Sequence, residues 1–580
     1  MPDDPAQEPM GELERLACAR FPDLSAAEIE LVRAAPAGEV AVCGPKAKPD
    51  DPAYDPSKAE DWGPEREIRA ELIRWLCMDP RTKKLVDPRG IHVLGAKISD
   101  SLDLDNVTIP FRLSLQRCWL AQKLNLRGAR LPVLNLQGTR VHAIGADGVV
   151  VKGAVFLRDG FRAEGEVRLL DAQIGGTLDC RAATLGYPPQ AVATGSHHVL
   201  SADRAVVKGS VFLNSRFNAK GQVEVRFSAN GEVRLLGTKI GGNLSCNGAT
   251  FENLVQADAT VSGTALRADG AVVKGSVFLS DGLSAKGAVR LLGAHIGGAL
   301  LCIGAKANLT LIAETAVIKG TLFWAGIDPK ETMLNLTNAS AGALADEVGS
   351  WPATGNLFLD GFAYGRFSGS APKDATSRLE WLARQEPFAP QPYRQLAKVL
   401  RDEGDDAGAR RVLSKMEDRR RAKEDPWYVR PWGWLLKGTI GYGYYPVRAL
   451  LWLLVFVLLG RPLYRHAYFS GNIAPTDKDA YSSFQKDHHP PAYYEPFCAS
   501  IYSLEKTFPF AKLGQVDRWQ PDPNPPPPNL ATVSRSHRFI RWFISARFLR
   551  GFGWLQTALG WILATLFAAG VTGVIRKDKD

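Results

Sequence analysis

Through the middle of the chain the apolar residues come as apolar-x-apolar triplets. Leu102/Leu104, Leu113/Leu115, Leu124/Leu126 and Leu134/Leu136 are followed by Val155/Leu157, Val167/Leu169 and Leu178/Cys180, at steps of 11, 11, 10, 21, 12 and 11 residues. The series returns at Val277/Leu279, Val289/Leu291 and Leu300/Cys302. Alternation of this kind defines a minimal strand with two side chains inward and one outward. Glycines and small polar residues between the triplets supply turns. A strand this short cannot bury a face alone, but stacked coils can. A period near 11, or two strands in about 22 residues, therefore predicts a parallel β-helix. The three-and-four spacing of a helical solenoid is absent here. With strands ~4.8 Å apart, roughly a dozen coils from Ile91 to about Phe367 predict a rod on the order of 55–60 Å long.

A longer repeat overlies the short one. ADGVVVKGAVFLRDGFRAEGEVRLLDAQIGGTLDC begins at Ala146, ADRAVVKGSVFLNSRFNAKG at Ala202, and ADGAVVKGSVFLSDGLSAKGAVRLLGAHIGGALLC at Ala268. The middle copy carries an insertion and resumes at Gly231 as GEVRLLGTKIGGNLSC. Outward positions of the triplets hold Phe156, Phe212, Phe278 and Phe323 in one register and Arg168, Arg234 and Arg290 in another, while Lys152, Lys208, Lys274 and Lys319 precede a repeated glycine. Two readings stand: an aromatic and basic docking stripe, or tandem duplication with the rings covered by loops. Strictly two-sided coils would place Phe156 opposite Phe212. Cys180, Cys246 and Cys302 take equivalent inward positions after IGG, as a redox or metal ladder or as small buried hydrophobes; free cysteine packs well in interiors.

The flanks read as helical. PEREIRAELIRWLCM, Pro64–Met78, puts Ile68, Leu72, Ile73, Leu76 and Cys77 on one face with Pro64 in the first turn, and predicts a cap over the first coil. Helices are expected near Gly11–Arg20 and Ser25–Arg33, with a Pro-rich linker from Gly44 to Pro56. Beyond Phe367, Tyr393, Leu396, Ala397 and Leu400 can face Ala409, Val412, Leu413 and Met416 in a hairpin broken at Gly404-Asp405, read as a spacer. These readings give residues 1–90 as helical segment and cap, 91–370 as β-helix, 371–424 as hairpin and 425–580 as membrane domain. The fold class is mainly β: a right-handed parallel β-helix solenoid with an N-terminal helical cap, a C-terminal helical hairpin and two transmembrane helices.

Two apolar runs define that last domain. Phe552–Ile575 has no charged residue and suits a membrane span. Tyr444–Tyr464 becomes long enough if Arg448 and Arg461 reach the two surfaces. Gly560, Ala564, Ala568 and Thr572 put a small residue on one helical face every four positions, inviting close approach of another helix. Phe539–Phe552 is aromatic and basic, suited to a membrane surface.

Charge sharpens this division. The net charge is +10, and from Ala422 onward there are 19 Lys+Arg against 11 Asp+Glu, leaving 52 against 50 before it. A basic excess shared with the apolar segments points to anionic lipid rather than nucleic acid. The N-terminal sequence is acidic and polar and does not read as a secretory signal, which predicts an N-terminal domain in the cytoplasm. Eight scattered cysteines show no CxxC or Cys/His ligand spacing, so no metal site is expected. No cofactor is expected either, because GxGxxG after a strand, a Walker loop and CxxCH are all missing.

Thr439-Ile440-Gly441-Tyr442-Gly443 looks like a potassium-channel filter. Yet no span precedes it, and apolar helix follows within a few residues, so its aromatic residues fit an interfacial belt instead. The slot between the spans holds PFCASIYSLEKTFPFAKLGQVDRW from Pro496, read as an ordered loop with a re-entrant loop as alternative. His488-His489 lacks further ligands, and PDPNPPPP from Pro521 is a polyproline spacer.

Several stretches resemble a bacterial family of membrane-anchored β-helix proteins. They are IRAELIRWLC before GIHVLGAKISDSLDL, the KGSVFL and GEVRLLGxxIGG units, and YSLEKTFPFAKLGQVDRW before LGWILATLFAAGVTGVIRKD. Members are labelled pentapeptide-repeat-like or membrane-associated oxidoreductase. The resemblance implies a multi-pass protein of the bacterial inner membrane. The expected function is a non-enzymatic scaffold that offers a rigid cytoplasmic surface to a protein partner, with membrane lipid and a second copy as further partners. An oligomeric two-span channel or transporter and a membrane oxidoreductase are the alternatives.

Overall fold

The computed structural model describes residues 10–45, 51–187, 198–253, 263–306, 309–487, 489–508, 510–522, 524 and 545–572. His488, the polyproline run from residue 525, the surface-helix segment 539–544 and the basic residues Arg535, Arg538, Arg541, Arg576 and Lys577 lie outside the described residues. The chain forms two compact units, Met1–Ala409 and Arg410–Asp580.

The first unit is a solenoid-like stack of parallel strands, in sheets of 20, 9 and 11 strands. Its register corrects the expected coil. Most repeats contribute four short strands, not two, and so build four ladders, the second of which ends at Ser284–Lys286. One repeat illustrates them: Leu113–Gln116, Trp119–Leu120, Leu124–Asn125 and Arg130–Leu131. Leu113 pairs with Leu134, Trp119 with Arg140, Leu124 with Ile144 and Arg130 with Val150. The apolar triplets are the first and third ladders. The second and fourth each spend one buried side chain per strand, such as Leu120, Val141, Val151 and Ile174. A single apolar residue leaves no alternation to read, which is why those two ladders escape the pattern. The 11-stranded sheet spans ten intervals of ~4.8 Å, or ~48 Å.

Core columns run through the stack. Leu113, Leu134, Val155, Leu178, Val211, Leu244, Val277 and Leu300 are all buried in one file. Each contributes roughly 1.5–3 kcal/mol relative to exposure. Corners after the third ladder need left-handed backbone, met by Asn106, Gly128, Gly237 and Gly270 at φ of 56°, 62°, 60° and 65°.

Both ends of the stack are covered. At the N-terminus, Ala26–Ala37 is a helix closed by a capping box between Ser25 and Glu28. Two strands stand outside the expected elements or within an expected helix: Val40–Val42, just before the stretch read as linker, pairs with His92–Leu94, and Glu67–Ile68, read as helix, pairs with Lys97–Ile98. Ile68 is therefore spent in a strand, and the expected Pro64–Met78 helix is confined to Ala70–Met78.

At the other end, the segment read as a spacer is a cap up to the unit boundary. Helix Gln391–Asp402 and the preceding loop lend side chains to the open backbone of the final coil. Gln385 Oε1 accepts from Leu359 N–H, Gln391 Oε1 from Gly361 N–H, and Glu403 Oε1 from Phe367 N–H, while Gln395 Nε2 donates to the Tyr364 carbonyl. An exposed edge would otherwise template further strands. Helix Ala375–Ala383 adds Arg378, fully buried and paired with Asp346 at 2.6 and 2.8 Å.

The second unit holds helices Arg430–Ile440, Val447–Phe469, Ala499–Thr507 and Ala546–Val571. Val447–Phe469 and Ala546–Val571, of 23 and 26 residues, are long and apolar enough to cross a membrane. The described residues between them pack around Tyr464, Phe484, Tyr502 and Trp519.

Candidate functional site

The fourth and first ladders meet at a corner where the repeats produce a regular relief. Register places Phe156, Asp179, Phe212, Ser245, Phe278, Leu301 and Phe323 in one outer column. The phenylalanines thus share one face on alternate coils, and Phe156 is not opposite Phe212. Across the corner, Lys152, Lys208, Lys274 and Lys319 are exposed and also form a column on alternate coils. Among the described residues their ammonium groups have no ion-pair or hydrogen-bond partner. Gly175, Gly241, Gly297 and Gly342 take the intervening places.

Close approach dictates those glycines. A Cβ on Gly175 would lie 2.0 Å from the Lys152 carbonyl oxygen, and one on Gly241 2.1 Å from that of Lys208. The edge is therefore corrugated. Ridges carry an outer valine, a lysine and a phenylalanine, as in Val206, Lys208 and Phe212; glycine furrows separate them. Successive ridges stand ~9.6 Å apart, two strand spacings. Val206 and Val272 are 38% and 39% exposed.

The phenylalanines are half-buried. Arg158 lies 4.8 Å over the Phe156 ring and Arg181 5.4 Å over Phe212. Both guanidinium groups also reach Asp179, at 3.3 and 2.7 Å, so a buried carboxylate between the two rings holds their cover in place. No guanidinium or ring covers Phe278 or Phe323 among the described residues.

The arginine register has a different fate. Arg168, Arg234 and Arg290 are on the third ladder, but each is paired with an aspartate of the preceding coil: Asp147 at 3.0 Å, Asp203 at 2.7 Å and Asp269 at 3.1 Å. The same aspartates accept from Leu170, Leu236 and Leu292 N–H. The repeated Ala-Asp and Val-Arg pairs therefore form clamps between coils, which takes the arginines out of the exposed basic stripe. Arg267, which stands outside the repeat spacing, joins the column and pairs with Glu232 at 3.0 Å.

Cys180, Cys246 and Cys302 share one buried column but alternate with Leu213 and Leu279. Two strand spacings, ~9.6 Å, exceed the ~7 Å Cα limit for bridging. Burial alone pushes the Cys246 thiol up to about 12 and raises Cys302 further.

In the second unit, Thr439 and Ile440 end a helix, Gly441 is its left-handed cap, and Tyr442 has φ 59°. This compact turn cannot line up carbonyls as an extended filter does. Tyr442 is buried within the protein, and its hydroxyl donates to Asp418 Oδ1 at 3.0 Å. Burial, reinforced by Asp418, pushes its phenol up to about 12. A cleft of about 540 Å³ opens beside it, lined by Lys415, Arg419, Arg421, Arg430 and Lys437 with Asp418 and Asp425.

Between the apolar helices, Gln556 is a buried hub. Its Oε1 accepts from Tyr464 at 2.9 Å, and its Nε2 lies 2.7 Å from Thr507 Oγ1 and 3.1 Å from Ser503 Oγ. A Cβ on Gly560 would sit 1.9 Å from the Thr507 carbonyl oxygen. The buried face comprises Leu549, Gly553, Gln556, Gly560, Leu563 and Gly570. Of the small residues singled out in sequence, Gly560 belongs to it, Ala564 is half-buried, and Ala568 and Thr572 are exposed. A step of four drifts off a face that follows alternating steps of four and three.

No protein-family model, curated protein or solved structure matches the chain.

Proposed function

We propose that the chain is a membrane-anchored scaffold, without enzymatic activity, whose first unit is a closed, right-handed parallel β-helix of the pentapeptide-repeat-like kind. Four ladders that each turn a buried column inward support closure, and the handedness general to parallel crossovers supports the hand. The two apolar helices anchor it in the bacterial inner membrane, with the β-helix in the cytoplasm. The corrugated corner carries the reading: unpaired lysines and half-exposed phenylalanines recur at fixed spacing on a rigid lattice. Their chemistry fits an acidic segment of a protein partner rather than nucleic acid, with apolar side chains that meet Val206, Val272 and Phe278. A second copy of the chain in the membrane is part of the proposal. The filter-like sequence folds as a buried turn, which favours a scaffold over a channel.

Photo-crosslinking in cells tests this. A crosslinker at Val206 or Val272 should give one discrete adduct, lost when Lys208 and Lys274 become Glu and absent from exposed Arg162 on the second ladder. Equal labelling at all three positions, or an adduct indifferent to the lysines, would refute the corner as the interface. Light scattering in detergent reads the copy number.

A further inference from the structure

The structure assigns a second binding site, to a phosphate ester, in the cleft between helices Asp406–Glu424 and Arg430–Ile440; we infer that it holds the headgroup phosphate of an anionic glycerolipid. This rests on the membrane reading above for the source of the phosphate, but not for the site itself.

The charges in the cleft are divided unequally. Asp418 is already engaged by Lys437 Nζ at 2.9 Å and by the Tyr442 hydroxyl, and Asp425 by Arg421 Nη1 at 3.2 Å. Those bonds consume both carboxylates and fix the walls. The Arg421 guanidinium is further held 5.2 Å over the Tyr442 ring. Lys415 and Arg430 remain: both are exposed, and neither side chain has an ion-pair or hydrogen-bond partner among the described residues. Lys415 and Arg430 thus leave the cleft two positive charges that no carboxylate among the described residues meets, the complement of a phosphate group. Its volume falls within the roughly 300–1,000 Å³ range of small-ligand sites.

Position selects the source. The apolar helix Val447–Phe469 starts five residues beyond Tyr442, which puts the cleft at the level where a bilayer's phosphates lie. Trp427, Trp432 and Trp434 are 80%, 53% and 76% exposed on the adjoining segment. Tryptophan at a membrane end favours the headgroup zone, and basic pockets beside spanning helices suit lipid phosphates.

The full chain in a neutral detergent, titrated with dioleoylphosphatidylglycerol and followed by native mass spectrometry, provides the test. Retention of this lipid should exceed that of dioleoylphosphatidylcholine and fall at least tenfold in Lys415→Ala/Arg430→Ala, with Arg430→Lys restoring part of it. The double variant should keep the thermal unfolding of the parent, since neither side chain supports the fold. Glycerol 3-phosphate that binds as tightly as the lipid, with the same dependence on Lys415 and Arg430, would support the phosphate site while overturning its lipid source. If the membrane reading fails, the chain will remain soluble without detergent, and that arm alone then decides the site. Equal retention of the two lipids with no effect of the double variant, together with no such binding of glycerol 3-phosphate, would overturn the site itself.

Discussion

Substitution of Asp346 by Asn removes one charge from the cap at the C-terminal end of the stack and little volume. Asp346 and Arg378 have side chains 3% and 0% exposed. Two guanidinium bonds of 2.6 and 2.8 Å join them, Trp351 Nε1 donates to the same carboxylate at 2.7 Å, and Arg378 Nε donates to the Pro372 carbonyl at 2.7 Å. The guanidinium also lies 4.0 Å over Phe367. In the Asn variant an amide N–H₂ faces a donor, and a buried cation loses its counter-charge. Breaking a buried pair on one side costs about 3–5 kcal/mol. At ~1.4 kcal/mol per tenfold, local opening should rise between about a hundredfold and a few thousandfold. Hydrogen exchange read by mass spectrometry on peptides spanning residues 340–385 measures this in the intact chain. Asp346→Leu combined with Arg378→Met should recover part of the loss, because an apolar pair leaves no buried charge uncompensated and only the Trp351 Nε1–H and the Pro372 carbonyl lose a partner. A rise below tenfold in the single variant, or a double variant as open as the single, would refute the reasoning.

Four further outcomes follow from the geometry. Gly241→Ala forces a methyl group against the Lys208 carbonyl and should cost roughly 1–3 kcal/mol, seen as a lowered thermal midpoint. Gly560→Val should displace helix Ala499–Thr507, which packs its backbone there, and open that segment to protease in detergent micelles. Because the Tyr442 pKa is raised from 10 to about 12, the folded chain holds that proton more tightly than the unfolded one. Its contribution is complete below pH 10 and is lost as pH rises towards 12. The difference in 295 nm absorbance between the parent and Tyr442→Phe should titrate near 12, and a midpoint near 10 would contradict the burial. Finally, exposed Cys18 should react with a maleimide in the native chain while Cys77, Cys118 and Cys246, buried with thiols pushed up to about 12, react only after denaturation; peptide mapping distinguishes them.

Leu102/Leu104 and Leu113/Leu115 are legible in sequence because two inward residues flank one outward residue. Arg140-Val141 and Arg162-Ala163 are not, since a lone apolar side chain beside an arginine looks like loop. The cap at the C-terminal end was hidden for a related reason: Gln385, Gln391, Gln395 and Glu403 act through polar tips on backbone groups of a strand edge, and hydropathy carries no trace of such bonds. The phenylalanines and lysines were visible as repeats, but their shared face depended on coil lengths. Leu178 pairs with Val211 and Val211 with Leu244, each 33 residues on, whereas Leu134 pairs with Val155 after 21. Extra residues between ladders lengthen a coil without shifting its register, and only the pairing reveals that. The inter-coil aspartates illustrate the reverse case, where Asp147 and Arg168 were both repeated yet their partnership was invisible until the coils were stacked.

The alternation of lysine and glycine along one corner also constrains how such a chain changes length over generations. Deleting one turn of the winding would bring two lysine rows into contact, ~4.8 Å apart, and place a Cβ where the backbone leaves room for none. Removing or duplicating turns in pairs keeps every glycine under a carbonyl. Natural variants of this protein should therefore grow or shrink in steps of ~9.6 Å, like a ruler with marks only at even divisions.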